Sequence, residues 1–224
     1  MARDFDGNND RISFGADASI ADFKPRTYAM WWLRDGTGGS LICAKGSGGT
    51  SWVDVVTSAG TALNCFQQWS GTDVEENCGT SVPSNGAFGH IVVSYDGSNA
   101  ANHPVVYVNG VLQTNTPVTG PGTGSFTSDA ATNLVIGETV AGTVDLDGAV
   151  QYFNYANAAW SADQANRHRW YGRAGGAIAV NHPLLTTKLT NEGTATANGT
   201  ATQTSVRSYP RGERCWGSMM GMGR

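Results

Sequence analysis

Residues 89 to 112 constrain the fold of this chain more than any other stretch. Gly89-His90-Ile91-Val92-Val93-Ser94-Tyr95-Asp96-Gly97 has the period of a strand, with Ile91, Val93 and Tyr95 on one face and Val92 and Ser94 on the other. Asp96-Gly97 ends it with residues that tolerate turn geometry. Val105–Val108 and the run 111–113 then flank Asn109-Gly110. A type I′ turn needs positive φ at both central positions, and Asn-Gly supplies that at little cost. Further strands are predicted at 27–33, 41–45, 52–56 and 62–69, between glycine-rich loops. No helix alternates with them, so the pattern is all-β, and at 224 residues a single two-sheet sandwich accommodates it.

One helix interrupts the strands. Ser161-Ala162-Asp163-Gln164 reads as an N-cap with Gln at the third helical position, a capping box, and predicts a helix over 161–172. Arg167, His168 and Arg169 lie towards its other end, where cations suit the helix dipole, and Gly172 or Gly175 can stop it. Residues 182–185 and the Thr-rich 195–206 read as closing strands.

Five phrases carry a family resemblance. They are Phe5-Asp6-Gly7-Asn8-Asn9-Asp10-Arg11-Ile12, the strand 89–97, the hairpin 105–112, Leu134-Val135-Ile136-Gly137, and Asp147-Gly148-Ala149-Val150-Gln151-Tyr152-Phe153-Asn154-Tyr155. Together they resemble the LamG-like branch of the concanavalin A-like lectin/glucanase superfamily. The match runs over roughly 4–173, and more weakly to 206. It implies a jelly-roll sandwich of two antiparallel sheets with one short helix after the strand 150–155. The expected organisation is a sandwich domain over 1–206 and a tail over 207–224.

The superfamily hosts lectins, enzymes and virion proteins, so function must be read from sites. The resemblance implies a Glu-x-Asp-x-x-Glu phrase for a glucanase, in which two carboxyl groups sit about 5 Å apart. The glutamates here are Glu75, Glu76, Glu138, Glu192 and Glu213, and none begins that phrase. No Gly-x-Ser-x-Gly elbow occurs either. No catalytic residue is assigned, and a non-enzymatic role is expected.

Calcium is the cofactor the resemblance raises. Asp6, Asn8, Asp10 and Asp147 are the candidate ligands, hard oxygen donors in loops. Against them, Val150, Gln151 and Tyr152 stand where the family commonly has Ile-Asp-Glu, and 8–10 read equally well as a tight turn. For a sugar, Trp52 and Trp69 are candidate stacking platforms, with Asn64 and Asn102 as hydroxyl partners. Trp160 and Tyr171 are further rings, and packing is the competing role for all of them. Trp31 and Trp32, adjacent on one strand, point to opposite faces. His90 is expected to pack or hydrogen-bond within the sandwich. Cys43, Cys65, Cys78 and Cys215 match no zinc spacing, and free thiols are expected; Cys43 and Cys65 fit adjacent strands.

Charged residues make up 14% of the chain, only three of them lysines, against about 25% in a typical domain. Such a surface suits burial by neighbours, or a sugar-binding face rich in Asn, Thr and Trp. A net charge of −4 disfavours nucleic acid, and no stretch is long and apolar enough for a membrane span. No secretory pattern follows Met1. The first expectation is therefore a virion structural or accessory protein, a phage head decoration or tail or fibre component. It would be made in the host cytoplasm and would contact capsid or tail proteins, with a homo-oligomer in view. In the tail, Arg207, Arg211, Arg214 and Trp216 are the docking candidates, in a segment of charge +3. The alternative expectation is an extracellular lectin module that recognises a cell-surface glycan.

Overall fold

The computed structural model describes residues 2–7, 10–35, 42–45, 56–58, 62–78, 83–137, 146–171, 196–198 and 202–204. The large sheet has seven antiparallel strands: β10 (Val111–Leu112), β9 (Val105–Val108), β8 (Phe88–Asp96), β3 (Pro25–Arg34), β13 (Asp147–Ala156), β1 (Ala2–Asp6) and β15 (Thr202–Thr204), in that order. Two four-stranded sheets pack on it. One runs β11 (Asn115–Thr119), β7 (Val74–Cys78), β6 (Ala62–Gln67), β5 (Val56–Ser58). The other runs β14 (Thr196–Asn198), β2 (Arg11–Ser13), β12 (Leu134–Ile136), β4 (Cys43–Lys45). Non-sequential neighbours such as β3 between β8 and β13 are what a sandwich requires.

Period-two alternation builds the core. Tyr28, Met30 and Trp32 from β3 meet Ile91 and Val93 from β8, Phe153 and Tyr155 from β13, and Ile12, Leu134, Ile136, Leu63 and Cys65 from the smaller sheets. One cluster thus joins all three sheets, which is the predicted sandwich. Trp31 does leave Trp32 for the opposite face, yet both rings are buried.

The hairpin forms as its turn residues demand: Asn109 and Gly110 have φ of 53° and 81°, and Val111 pairs with Val108. At Gly148, φ is 138° and a Cβ would lie 2.0 Å from the Leu33 carbonyl oxygen, so only glycine fits there. In β13 the register shifts between Gln151 and Asn154, and Tyr152 takes φ 53°. This bulge opposes two residues to one and turns the Tyr152 carbonyl towards the helix.

That helix, α1, spans Ala162–Tyr171. The capping box is reciprocal: the Ser161 N–H donates to Gln164 Oε1 at 2.9 Å and the Gln164 N–H to Ser161 Oγ at 3.4 Å. A short 3-10 turn, Ala18–Ile20, is capped by Asp17.

Two findings depart from expectation. β7 and β11 are strands where none was predicted. Cys43 and Cys65 lie in different sheets, not on adjacent strands, because β4 and β6 never pair. Cys43, Cys65 and Cys78 are buried thiols outside any disulfide. The candidate strand 182–185 and Cys215 lie outside the described residues.

One end of the core is polar. Arg26 Nη1 meets Asp129 Oδ2 at 2.9 Å, its Nε donates to the Phe23 carbonyl, and its guanidinium stacks 5.0 Å from the Phe126 ring centre. Lys45 Nζ donates to the carbonyls of Asp129 and Thr132. Burial opposes charge on both cations. It leaves Lys45 below its ordinary value, whereas nearby Tyr155, Tyr28 and Asp129 hold Arg26 above its own.

Candidate functional site

The two outer faces of the sandwich differ. On the large sheet, α1 packs over the surface beside β3 and β8 through Ala165, with Trp160, Ala29, Val92 and Tyr107. A histidine relay lies beneath it. His168 Nε2 donates to the Tyr152 carbonyl at 3.0 Å, which leaves its Nδ1 as acceptor for the Nε2–H of His90 at 2.8 Å. His90 Nδ1 is then an acceptor with no partner among the described residues. The rings of Trp31 and Trp160 flank the pair. Burial pushes His168 down to about 4, partly offset by the Tyr152 carbonyl. Burial, His168 and Arg169 push His90 down to about 2. At neutral pH both rings are uncharged, and the cluster cements helix to sheet.

The other outer face carries functional groups. Asn64 and Phe66 on β6 alternate with buried Leu63 and Cys65, while Glu75 and Asn77 on β7 alternate with buried Val74 and Cys78. The register places Asn64 opposite Asn77, Phe66 opposite Glu75, and Thr116 of β11 beyond Asn77. Asn64 Nδ2 donates to Glu75 Oε1 at 3.1 Å and to Asn77 Oδ1 at 3.2 Å. With those bonds made, Asn64 Oδ1, Glu75 Oε2 and Asn77 Nδ2 remain, two acceptors and a donor held in fixed relation on a sheet. Those four side chains are half-buried and Thr116 is exposed. The array thus offers hydrogen-bonding groups of both kinds beside the Phe66 ring.

Between β6 and β7 the two glutamates part company. Glu75 faces out and Glu76 faces the core, where it meets His103 Nδ1, so they do not form a carboxylate pair on one face.

The laminin G 3 family model, described as concanavalin A-like lectin/glucanases superfamily, matches residues 6–166. The chain belongs to the concanavalin A-like lectin/glucanase superfamily. Solved structures with the same fold include a heptameric SAP-like pentraxin from Limulus polyphemus, at 12% identity and a TM-score of 0.62, covering 90% of this chain and 93% of that one. Another is a protein from Bacteroides ovatus titled as carbohydrate binding, at 16% identity and 0.55, covering 75% of this chain and 46% of that one. A third is the CBM40 of the Ruminococcus gnavus IT-sialidase bound to α2,3-sialyllactose, at 12% and 0.51, covering 74% and 96%. Comparison with curated proteins yields no match.

In this lectin-like domain the sequence-predicted site residues scatter. Trp69 is 6% exposed, its Nε1 donates to the Tyr95 hydroxyl at 3.1 Å, and its ring meets Phe126 edge-on. It is core and offers no face to a sugar. Trp160 is likewise buried. Asn102 folds its Nδ2 back onto the Asp96 carbonyl at 2.8 Å, closing the turn after β8. Among the described residues of the set, Asn64 alone lies on an outer sheet face. Trp52, and the side chain of Tyr171, lie outside the described residues.

Of the calcium candidates, the Asp10 carboxylate accepts the Asp6 N–H at 3.1 Å and so closes the first turn, the competing role foreseen for it. Asp6 pairs with Asp147 across β1 and β13. Burial, then Asp35 and Asp6, raise the Asp147 carboxyl above its usual range. Among the described residues no group of three His, Cys, Asp or Glu is set to hold a metal ion. Asn8 lies outside those residues, as do Arg207, Arg211, Arg214 and Trp216. No described helix is long and apolar enough to cross a membrane.

Glu75, Asn77 and Phe66 were not singled out from sequence. The period-two signal in Val74-Glu75-Glu76-Asn77-Cys78 was present but masked, because Glu76 puts a charge on the buried face.

Proposed function

We propose that this domain is a non-catalytic glycan-binding module whose sugar sits on the outer face of β6, β7 and β11. The observation that carries the reading is the Asn64–Glu75–Asn77 array beside Phe66 and Thr116. Sugar hydroxyls donate and accept at once, and the array presents both functions at fixed spacing. On the opposite face α1 covers the large sheet beside β3 and β8. The structures titled as carbohydrate binding and as a sialyllactose-bound module support the reading by fold. The virion expectation ranks second to it, since no comparison supports a virion partner.

The test is a glycan array followed by calorimetry on the best ligand. Asn64→Ala and Asn77→Ala each remove a hydroxyl partner and a strut of the array, and roughly tenfold weaker binding is expected for each. Binding that survives both substitutions in folded protein moves the site elsewhere.

A further inference from the structure

The chain holds no Lys or Arg between Lys45 and Arg167, and ten Asp or Glu fall in that interval. The whole of the small sheet, β5, β6, β7 and β11, and the loops between β5 and β7, come from this cation-free stretch. None of the described cations lies on these strands: Arg3, Arg26 and Arg34 belong to β1 and β3, Lys24 precedes β3, Arg11 and Lys45 lie on β2 and β4, and Arg167 and Arg169 on α1. Arg26 and Lys45 are buried on Asp129, and Arg167 and Arg169 ride on α1 over the opposite face. Among the described residues of the candidate face the charge is Glu75, held by Asn64 with one oxygen left over.

An acidic sugar asks for the reverse. A carboxylate or sulfate that leaves water needs an Arg or Lys fork or a bound cation to replace its hydration. Here it would meet a carboxylate of like sign within the width of one sugar ring. A neutral sugar suffers no such cost, and its hydroxyl protons find the Glu75 and Asn64 oxygens as acceptors.

Resting on the glycan reading above, we infer that the ligand is an uncharged glycan and that sialylated and sulfated forms of it are rejected. In this the domain differs from the sialyllactose-bound module whose fold it shares. The discrimination is electrostatic, so it weakens as salt screens the Glu75 charge.

The experiment is an array of matched neutral, sialylated and sulfated oligosaccharides, read with EDTA and again with calcium, at low and high salt. Neutral members should bind, with their acidic partners at least about tenfold weaker, as like charges some 6 Å apart at a protein surface predict. The ratio should shrink at high salt and in Glu75→Gln. Equal or better binding of acidic members overturns the inference while leaving the glycan reading intact, and so does their recruitment by calcium. A ratio indifferent to both salt and Glu75→Gln also overturns it, because the selectivity is then not one of charge. No binding anywhere on the array overturns the glycan reading, and the inference with it.

Discussion

Asp129 keeps two buried cations in register, and its side chain is fully buried with theirs. Its Oδ2 takes Arg26, its Oδ1 accepts the Asp22 N–H, and its carbonyl accepts Lys45. Asp129→Ala strands Arg26 and Lys45 without an anion, and should cost about 3–5 kcal/mol in urea unfolding. Asp129→Asn keeps the shape but not the charge and should fall between that variant and the parent. Glu76 shows the same economy on the small sheet, a buried carboxylate relieved by a His103 that is 45% exposed. None of these residues advertises burial by type. Arg26 precedes the strand predicted at 27–33, and Lys45 ends another, where sequence reasoning puts solvated charge.

At the scale of an element, α1 is held by its cap, its relay and the hairpin beneath it. Ser161→Ala removes the Oγ acceptor and should destabilise by about 1 kcal/mol, read by thermal or urea unfolding. At Gly110 a Cβ would lie 2.5 Å from Asn166 Oδ1 and 2.8 Å from Arg169 Nη1, at φ 81°. Gly110→Ala therefore strains the turn and lifts the helix together, and a loss above about 1 kcal/mol is expected. The relay adds a pH dependence. An unfolded His titrates near 6.5, while folded His168 is pushed down to about 4 and His90 to about 2. Between those values the unfolded chain binds more protons, so the contribution is fully present above about pH 6.5 and is lost as pH falls. By pH 4 the loss from His168 alone is on the order of 3 kcal/mol, at 1.36 kcal/mol per unit. Urea midpoints from pH 7.5 to 4.5 check the slope, and hydrogen exchange should show α1 opening before β3. The helix itself was legible because capping is local chemistry. That His168 reaches His90 was not, since 78 residues separate them.

As a whole molecule the domain is a sandwich with α1 packed on one outer face and the proposed glycan site on the other. A glycan at 100 times its Kd should stabilise the domain by about 2.7 kcal/mol, and Asn64→Ala, binding about tenfold more weakly, should cut that to about 1.4 kcal/mol, roughly halving the thermal shift at that concentration. The two halves of this architecture were legible to different degrees. Alternation of valine and isoleucine, Asn109-Gly110 and the Ser161–Gln164 box determined the all-β class, the hairpin and the helix, because each is decided by backbone chemistry within a few residues. Family phrases extended that to the sandwich. Only the tertiary structure decided which rings are core and which polar groups form a site. Trp69 and Trp160, plausible platforms by type, are buried, because a large apolar ring gains most by leaving water. Asn64, Glu75 and Asn77 become one array only when β6 and β7 pair in register. Side-chain type states what a residue can bind, but exposure and neighbours are set by pairing between strands distant in sequence, which no local pattern encodes.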